Sequence, residues 1–175
     1  MRSLLLSALI AMSSSAAFAD DAGIADGAKV YQRCAACHLP NGAGVPGAFP
    51  QLAGRVSTIA STDAGRDYLV MAISAGLIGA LDVEGVKYRG IMPAQAGLSD
   101  AEIASALNYV VSLKPANARA DEASDKKPQT FSAEEVAAIR ARFPGANPQL
   151  AHGLRENAVK QPGKQPAKQP GDEGK

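Results

Sequence analysis

The sequence has 175 residues, with 18 lysines and arginines against 17 aspartates and glutamates and a formal net charge of +1. This balanced composition lacks the basic surface on which nucleic-acid binding depends, so we predict no nucleic-acid partner. The chain contains only two cysteines and two histidines, which limits the metal sites it can build.

The first 19 residues predict a secretory signal peptide. Arg2 is followed by an almost unbroken apolar run from Leu4 to Met12, and Ala-Phe-Ala at 17–19 fits a small-residue cleavage site. The run is shorter than the ~20 residues of a membrane-spanning helix, and no later segment is long and apolar enough to span. We therefore expect cleavage after Ala19 and a mature chain in a bacterial periplasm, without a transmembrane segment.

Residues 20–114 are predicted to form one helical domain. Apolar residues recur at spacings of three and four from about Ile24 to Cys37, which predicts the first helix. The segment 39–54 is rich in glycine and proline and is therefore expected to be a long loop. A second helix is expected over Asp67–Ser74.

The last helix of this domain has the clearest signals. Ser99 and Glu102 fit a capping box, and an apolar stripe of Ile103, Leu107 and Val110 follows. No segment alternates convincingly between apolar and polar residues, so no strand is predicted. The predicted fold class is all-α, with three to four helices joined by long loops.

The composition becomes polar after the domain. Residues 115–160 are predicted to be a linker and a short helical extension, in which Ser132 and Glu135 fit a second capping box at the start of a helix over 131–143. Residues 161–175 repeat a Lys-Gln-Pro unit, which cannot form a core and predicts a disordered tail.

Residues 34–38, Cys-Ala-Ala-Cys-His, hold both cysteines of the chain. Export permits a disulfide between Cys34 and Cys37, and a thioredoxin-like redox pair has the same spacing but normally follows a strand. A zinc site needs two more ligands, and His152 is the only other histidine. The form C-x-x-C-H is the attachment motif of c-type haem, which we favour.

The motif suits this chemistry because two thiols three positions apart lie on nearly one side of a helical turn. Both can add to the vinyl groups on one edge of a porphyrin, and His38 can then turn its imidazole toward the iron as an axial ligand. For the other axial position the candidates are Met71, Met92 and His152. Met71 fits a core position, whereas Met92 precedes Pro93 in a loop that can present its sulfur.

These features together resemble the class I c-type cytochromes over residues 22–113. The resemblance rests on an N-terminal helix ending in the haem motif, a Gly/Pro-rich loop, the Met92-Pro93 loop and a C-terminal helix. It implies the cytochrome c fold around one covalently bound haem c.

The resemblance also implies roles for individual residues. Cys34 and Cys37 hold the haem through thioethers, His38 is the proximal ligand and Met92 is the distal ligand. The carbonyl of Pro50, in Phe-Pro-Gln-Leu, accepts a hydrogen bond from His38. An aromatic pair between the first and last helices implies contact of Tyr31 with Tyr109. Apart from the resemblance, Arg55, Tyr88 and Arg89 could meet the haem propionates, but each is equally well a surface residue.

The predicted function is that of a periplasmic one-electron carrier and not an enzyme. It would move electrons from a dehydrogenase or quinol-oxidising complex to a terminal oxidase or reductase, so its partners are redox proteins. One alternative is the haem subunit of a dehydrogenase complex, with residues 115–160 as a docking arm. The other, if Met92 is not a ligand, is a five-coordinate haem sensor or peroxidase.

Overall fold

The computed structural model describes residues 19–116 and 130–160. The predicted signal peptide up to residue 18, the linker segment 117–129 and the Lys-Gln-Pro tail at 161–175 lie outside the described residues. The elements in chain order are α1 (Ala19–His38), α2 (Arg55–Ile59), α3 (Asp63–Ala75), β1 (Leu77–Val83), β2 (Val86–Met92), α4 (Asp100–Ser112), α5 (Ala133–Arg142) and α6 (Pro148–Lys160). None of these helices is both long enough and apolar enough to cross a bilayer.

Helices α1 and α4 pack closely against each other. A Cβ atom at Gly27 of α1 would lie 2.1 Å from the Ser105 carbonyl oxygen of α4, so only glycine permits this backbone approach. One turn further along α1, the ring of Tyr31 lies 5.1 Å from the ring of Tyr109, centroid to centroid. The aromatic pair implied by the family resemblance is therefore present.

The helix ends follow local capping chemistry. Ser99 and Glu102 form the predicted reciprocal capping box at the start of α4. The helix predicted at Asp67 begins earlier, at Asp63, because the Thr62 side chain accepts a hydrogen bond from the Gly65 backbone N–H. Helix α2 has only five residues and was not predicted.

The prediction that the domain contains no strand is wrong. Strands β1 and β2 pair antiparallel along their whole length, and Val83 pairs with Val86 across a two-residue turn. Both turn residues, Glu84 and Gly85, have positive φ, which matches the right-handed twist of a hairpin. The alternation signal fails because the paired Ile78 and Ile91 are both exposed.

The C-terminal extension packs onto the domain. Helix α5 was predicted and begins after Ser132, whose side chain accepts a hydrogen bond from the Glu135 N–H. Helix α6 was not predicted; it packs against α3 and also contacts β1. Buried apolar side chains join the extension to the domain core, with Phe131, Val136 and Ile139 from the first part and Ala151 from α6.

A buried cation ties the extension to α3. Arg66, with 8% of its side chain exposed, donates to both carboxylate oxygens of Glu135 at 2.5 Å. Its guanidinium also lies 3.7 Å from the centre of the Phe131 ring. On the α4 side, Asn108 bonds both the N–H and the carbonyl of Phe131, at 2.7 and 2.9 Å. The start of α5 is therefore held by polar contacts to two helices.

Replacing Glu135→Gln is expected to lower the free energy of unfolding of the haem-loaded protein by about 2–3 kcal/mol, because it removes the negative charge that a buried cation contacts through two hydrogen bonds. The matched control is Arg140→Gln, which breaks a pair with Asp100 in which both side chains are at least one-third exposed. That variant should lose ~1 kcal/mol or less. Chemical denaturation measures both losses, and equal losses would contradict a special role for the buried pair.

Candidate functional site

A cavity of about 360 Å³ opens between the end of α1, the loop after it, α3, the hairpin, α4 and α6. Most of its lining side chains are apolar and come from the core, among them Leu52, Val56, Leu69, Leu107 and Val110. A site with such walls suits a large, flat, mainly apolar group with a few anchoring donors.

The Cys-Ala-Ala-Cys-His motif forms the end of α1 and borders this cavity. Both cysteine thiols are free and part-buried, and both line the cavity with His38. Burial raises the pKa of the Cys34 thiol, an effect that the neighbouring Arg33 partly opposes. The helix stops here because Leu39 has a φ of 65°. The thiols and the imidazole thus face one space.

The imidazole of His38 is 8% exposed and oriented by the loop. Its Nδ1 lies 2.8 Å from the Pro50 carbonyl oxygen, so Nδ1–H donates to that oxygen and Nε2 keeps its lone pair for a metal. Burial lowers the pKa of His38, and the Pro50 contact opposes this shift. Gly44, with a φ of 63°, brings the loop close, since a Cβ there would lie 2.6 Å from the Pro50 oxygen.

Met92 is the last residue of strand β2, whereas the sequence had placed it in an irregular loop. It lines the same cavity as His38. The segment after it is fixed to α3, because the Gln95 N–H donates to the Ile73 carbonyl oxygen at 2.8 Å. A Cβ at Gly76 would lie 2.5 Å from the Met92 carbonyl oxygen, so glycine lets the hairpin end close against α3.

The other two candidates for the second axial position lie elsewhere. Met71 is 1% exposed within the core cluster and does not line the cavity. His152 lies on α6, which was not predicted, with Nε2 3.1 Å from the Ala80 carbonyl oxygen, and it too is absent from the lining. Of the three, Met92 alone shares the cavity with His38.

The polar residues at the cavity include the three that were expected and others that were not. Arg55, Tyr88 and Arg89 all line it, but Tyr88 is buried, whereas it had been regarded as equally suited to the surface. Sequence reasoning missed Tyr68 of α3 and Arg155 of α6, which also line the cavity. No local signal marked Arg155, because its helix was not predicted.

This donor set fits covalently attached haem. Two thiols on one helical turn, a neutral imidazole nitrogen and a thioether all line one cavity, and the rest of its walls are mostly apolar. In the described residues no cluster of three or more histidine, cysteine, aspartate or glutamate side chains offers a metal site, so the zinc interpretation has no support there. The arrangement defines a protein that binds haem through one short motif.

Comparison with known proteins agrees with this site. A family model described as Cytochrome c matches residues 24–114. Two relatives, both cytochrome c-552 of Thermus thermophilus and one of them from a named strain, are each 47% identical to the chain over 118 residues. The alignments cover 67% of this chain and 86% and 76% of the two relatives.

The chain belongs to the cytochrome c family, as a class I c-type cytochrome. It therefore binds covalent haem c and serves electron transfer, and its fold is mostly helical with one small sheet. The alignment with the Thermus proteins, at 118 residues, is longer than the span 24–114, so this similarity includes residues outside the family match.

Proposed function

We propose that this cytochrome is a periplasmic one-electron carrier in which His38 and Met92 hold the haem iron. The observation that carries the proposal is that both side chains line one cavity together with Cys34 and Cys37. Haem c, when bound, supplies a single iron that alternates between ferric and ferrous states. The leader-like residues 1–19 support export to the periplasm.

The protein tunes this iron through the residues around it. The Pro50 carbonyl oxygen orients the His38 ring and makes it a stronger donor, as hydrogen-bond partners of metal-binding histidines do. The soft thioether of Met92 favours ferrous iron and raises the reduction potential. The apolar walls disfavour the additional charge of the ferric state, which acts in the same direction.

His38 and Met92 would occupy both axial positions and leave no open site for a substrate, so the proposal is a carrier and not an enzyme. Electrons would enter and leave at the cavity mouth. Phe49, Ile78 and Ile91 line the cavity and are also exposed, Ile91 by 69%. This apolar rim suits brief contact with other redox proteins: a dehydrogenase or quinol-oxidising complex as donor, and a terminal oxidase or reductase as acceptor.

The alternative of a haem subunit within a dehydrogenase complex rested on a free docking arm at 115–160. Val136 and Ile139 of α5 and Ala151 and Ala158 of α6 are instead buried against the chain's own domain, although Val159 is 37% exposed. This intramolecular packing supports the free carrier, because most of the larger apolar side chains of α5 and α6 already contact the chain's own domain.

Optical spectra of the purified protein test the proposed ligand pair. We expect low-spin c-type bands, a weak long-wavelength band from methionine-to-ferric charge transfer, and little change on adding carbon monoxide to the reduced form. A high-spin spectrum that shifts at once with carbon monoxide would mean an open iron, and it would favour the sensor or peroxidase alternative.

A further inference from the structure

The charged side chains at the cavity are of one sign. Four arginines line it, and among the described lining residues there is no aspartate or glutamate: Arg33, Arg55, Arg89 and Arg155. Arg33 and Arg89 are exposed to solvent, whereas Arg55 and Arg155 are part-buried, and a part-buried cation is costly unless an anion accompanies it. The cavity therefore suits a bound group that brings its own negative charge.

Two of these cations converge on a buried phenol. Arg155 of α6 and Arg55 of α2 both act on the hydroxyl of Tyr68, a residue only 8% exposed. Burial raises the pKa of Tyr68, and the two arginines oppose that shift, Arg155 partly through a hydrogen bond. Arg55, Tyr68 and Arg155 all line the cavity, and this group of three side chains is called the cradle below.

The cradle has an excess of positive charge. Arg155 donates to the Asp82 carbonyl oxygen and contacts the Tyr68 hydroxyl, and within the part of the chain that the structure describes it has no carboxylate partner. Arg55 pairs with Glu84 at 2.6 Å, but the Glu84 side chain is 81% exposed and its charge is screened by solvent. Two guanidinium groups and a phenol O–H can all donate hydrogen bonds to a carboxylate.

Haem c carries such carboxylates, its two propionates, on the porphyrin edge opposite the two thioether bonds. The thioether side here belongs to α1, which packs on α4. The cradle belongs to α2, α3 and α6, and α6 packs on α3 and contacts β1. The cysteines and the cradle line the same cavity, so a haem attached at Cys34 and Cys37 would carry its propionates on the side away from α1, within this cavity.

We propose that Arg155, together with Arg55 and Tyr68, binds the haem propionates, so that α6 completes the cofactor site from outside the matched residues 24–114. This gives the extension a function in the haem domain itself. The inference depends on haem attachment alone and is independent of which residue is the second iron ligand.

Two effects on the iron follow from the cradle. A cation beside a propionate offsets its negative charge, which otherwise stabilises the ferric state, so Arg155 raises the reduction potential. Arg155 and His152 also bond the Asp82 and Ala80 carbonyl oxygens of β1. These bonds hold the hairpin that ends at Met92.

The test compares three haem-loaded variants: Arg155→Gln, Arg155→Lys and the control Arg140→Gln. The control removes a cation from the same extension, but Arg140 pairs with Asp100 and does not line the cavity. Reduction potentials are measured by spectroscopic titration. Resonance Raman spectra of the reduced proteins record the propionate bending band, which responds to hydrogen bonds on the carboxylates.

We expect Arg155→Gln to lower the potential and shift the propionate band, while Arg140→Gln changes neither. Arg155→Lys should retain most of the potential but shift the band, since a lysine keeps the charge and loses the planar fork. If Arg155→Gln loads no haem, the lysine variant alone decides through its band. A propionate band identical to that of the wild type in the loaded Arg155 variants would overturn the proposal, whatever the potential does.

Discussion

The double variant Cys34→Ala/Cys37→Ala is expected to carry no covalently bound haem and to lose the folded domain. The thioethers are the only covalent bonds that the motif offers, so haem would dissociate on denaturation. An empty cavity lowers stability by ~24 cal/mol per Å³. For a cavity of about 360 Å³, a haem-free chain would lose about 9 kcal/mol of stability, which is an upper value because the mouth of the cavity is open. This loss is a large part of the ~5–15 kcal/mol that is the free energy of unfolding of a typical protein.

Denaturing gels stained for haem and intact-protein mass spectrometry measure the attachment, and circular dichroism measures the helices. The wild type should show the chain mass plus one haem, and the control His152→Ala should match it, because His152 lies outside the cavity. A wild-type mass two hydrogens below that of the haem-free chain would instead indicate a Cys34–Cys37 disulfide. Haem that survives denaturation in the double variant would contradict thioether attachment.

The variant Met92→Ala is expected to keep its covalent haem but to become high-spin, bind carbon monoxide and lose the long-wavelength charge-transfer band. Removing the thioether takes away the soft donor that favours ferrous iron. The reduction potential should fall by on the order of 0.1 V, within the roughly 0.8 V span that axial ligands control. Potentiometric titration followed optically measures this shift.

The matched control replaces the other described methionine, Met71→Leu. Met71 is fully buried in the core, so this swap of similar volume should cost less than ~1.5 kcal/mol of stability and leave the spectrum unchanged. If Met92→Ala retained the wild-type potential and spectrum, Met92 would not be the ligand. His152 would then be tested next through His152→Ala.

Much of the site was predictable because its signals are local. The haem motif lies within five consecutive residues, and its chemistry depends on their spacing alone. The capping box of Ser99 and Glu102 likewise needs only residues three positions apart. The placement of Pro50 and Met92 came from the family resemblance, and the structure brings the Pro50 carbonyl oxygen to 2.8 Å from His38 Nδ1.

The hairpin was missed for a reason that concerns exposure. Its strands do not separate apolar from polar faces, since Ile78 and Ile91 face solvent as a pair at the cavity mouth. The alternation that reveals a strand depends on one face being buried in the protein. Here the strands border the cavity and its exposed rim instead of a protein face, so the sequence carries no periodic signal.

The sequence by itself determined the cofactor chemistry and the two capping boxes, because each depends on residues that are close neighbours in the chain. Only the tertiary structure decided that the extension belongs to the haem domain. Arg66 meets Glu135 across 69 positions, and Arg155 meets the Asp82 carbonyl oxygen across 73. Contacts between residues so far apart leave no pattern in the chain, because folding alone brings them together.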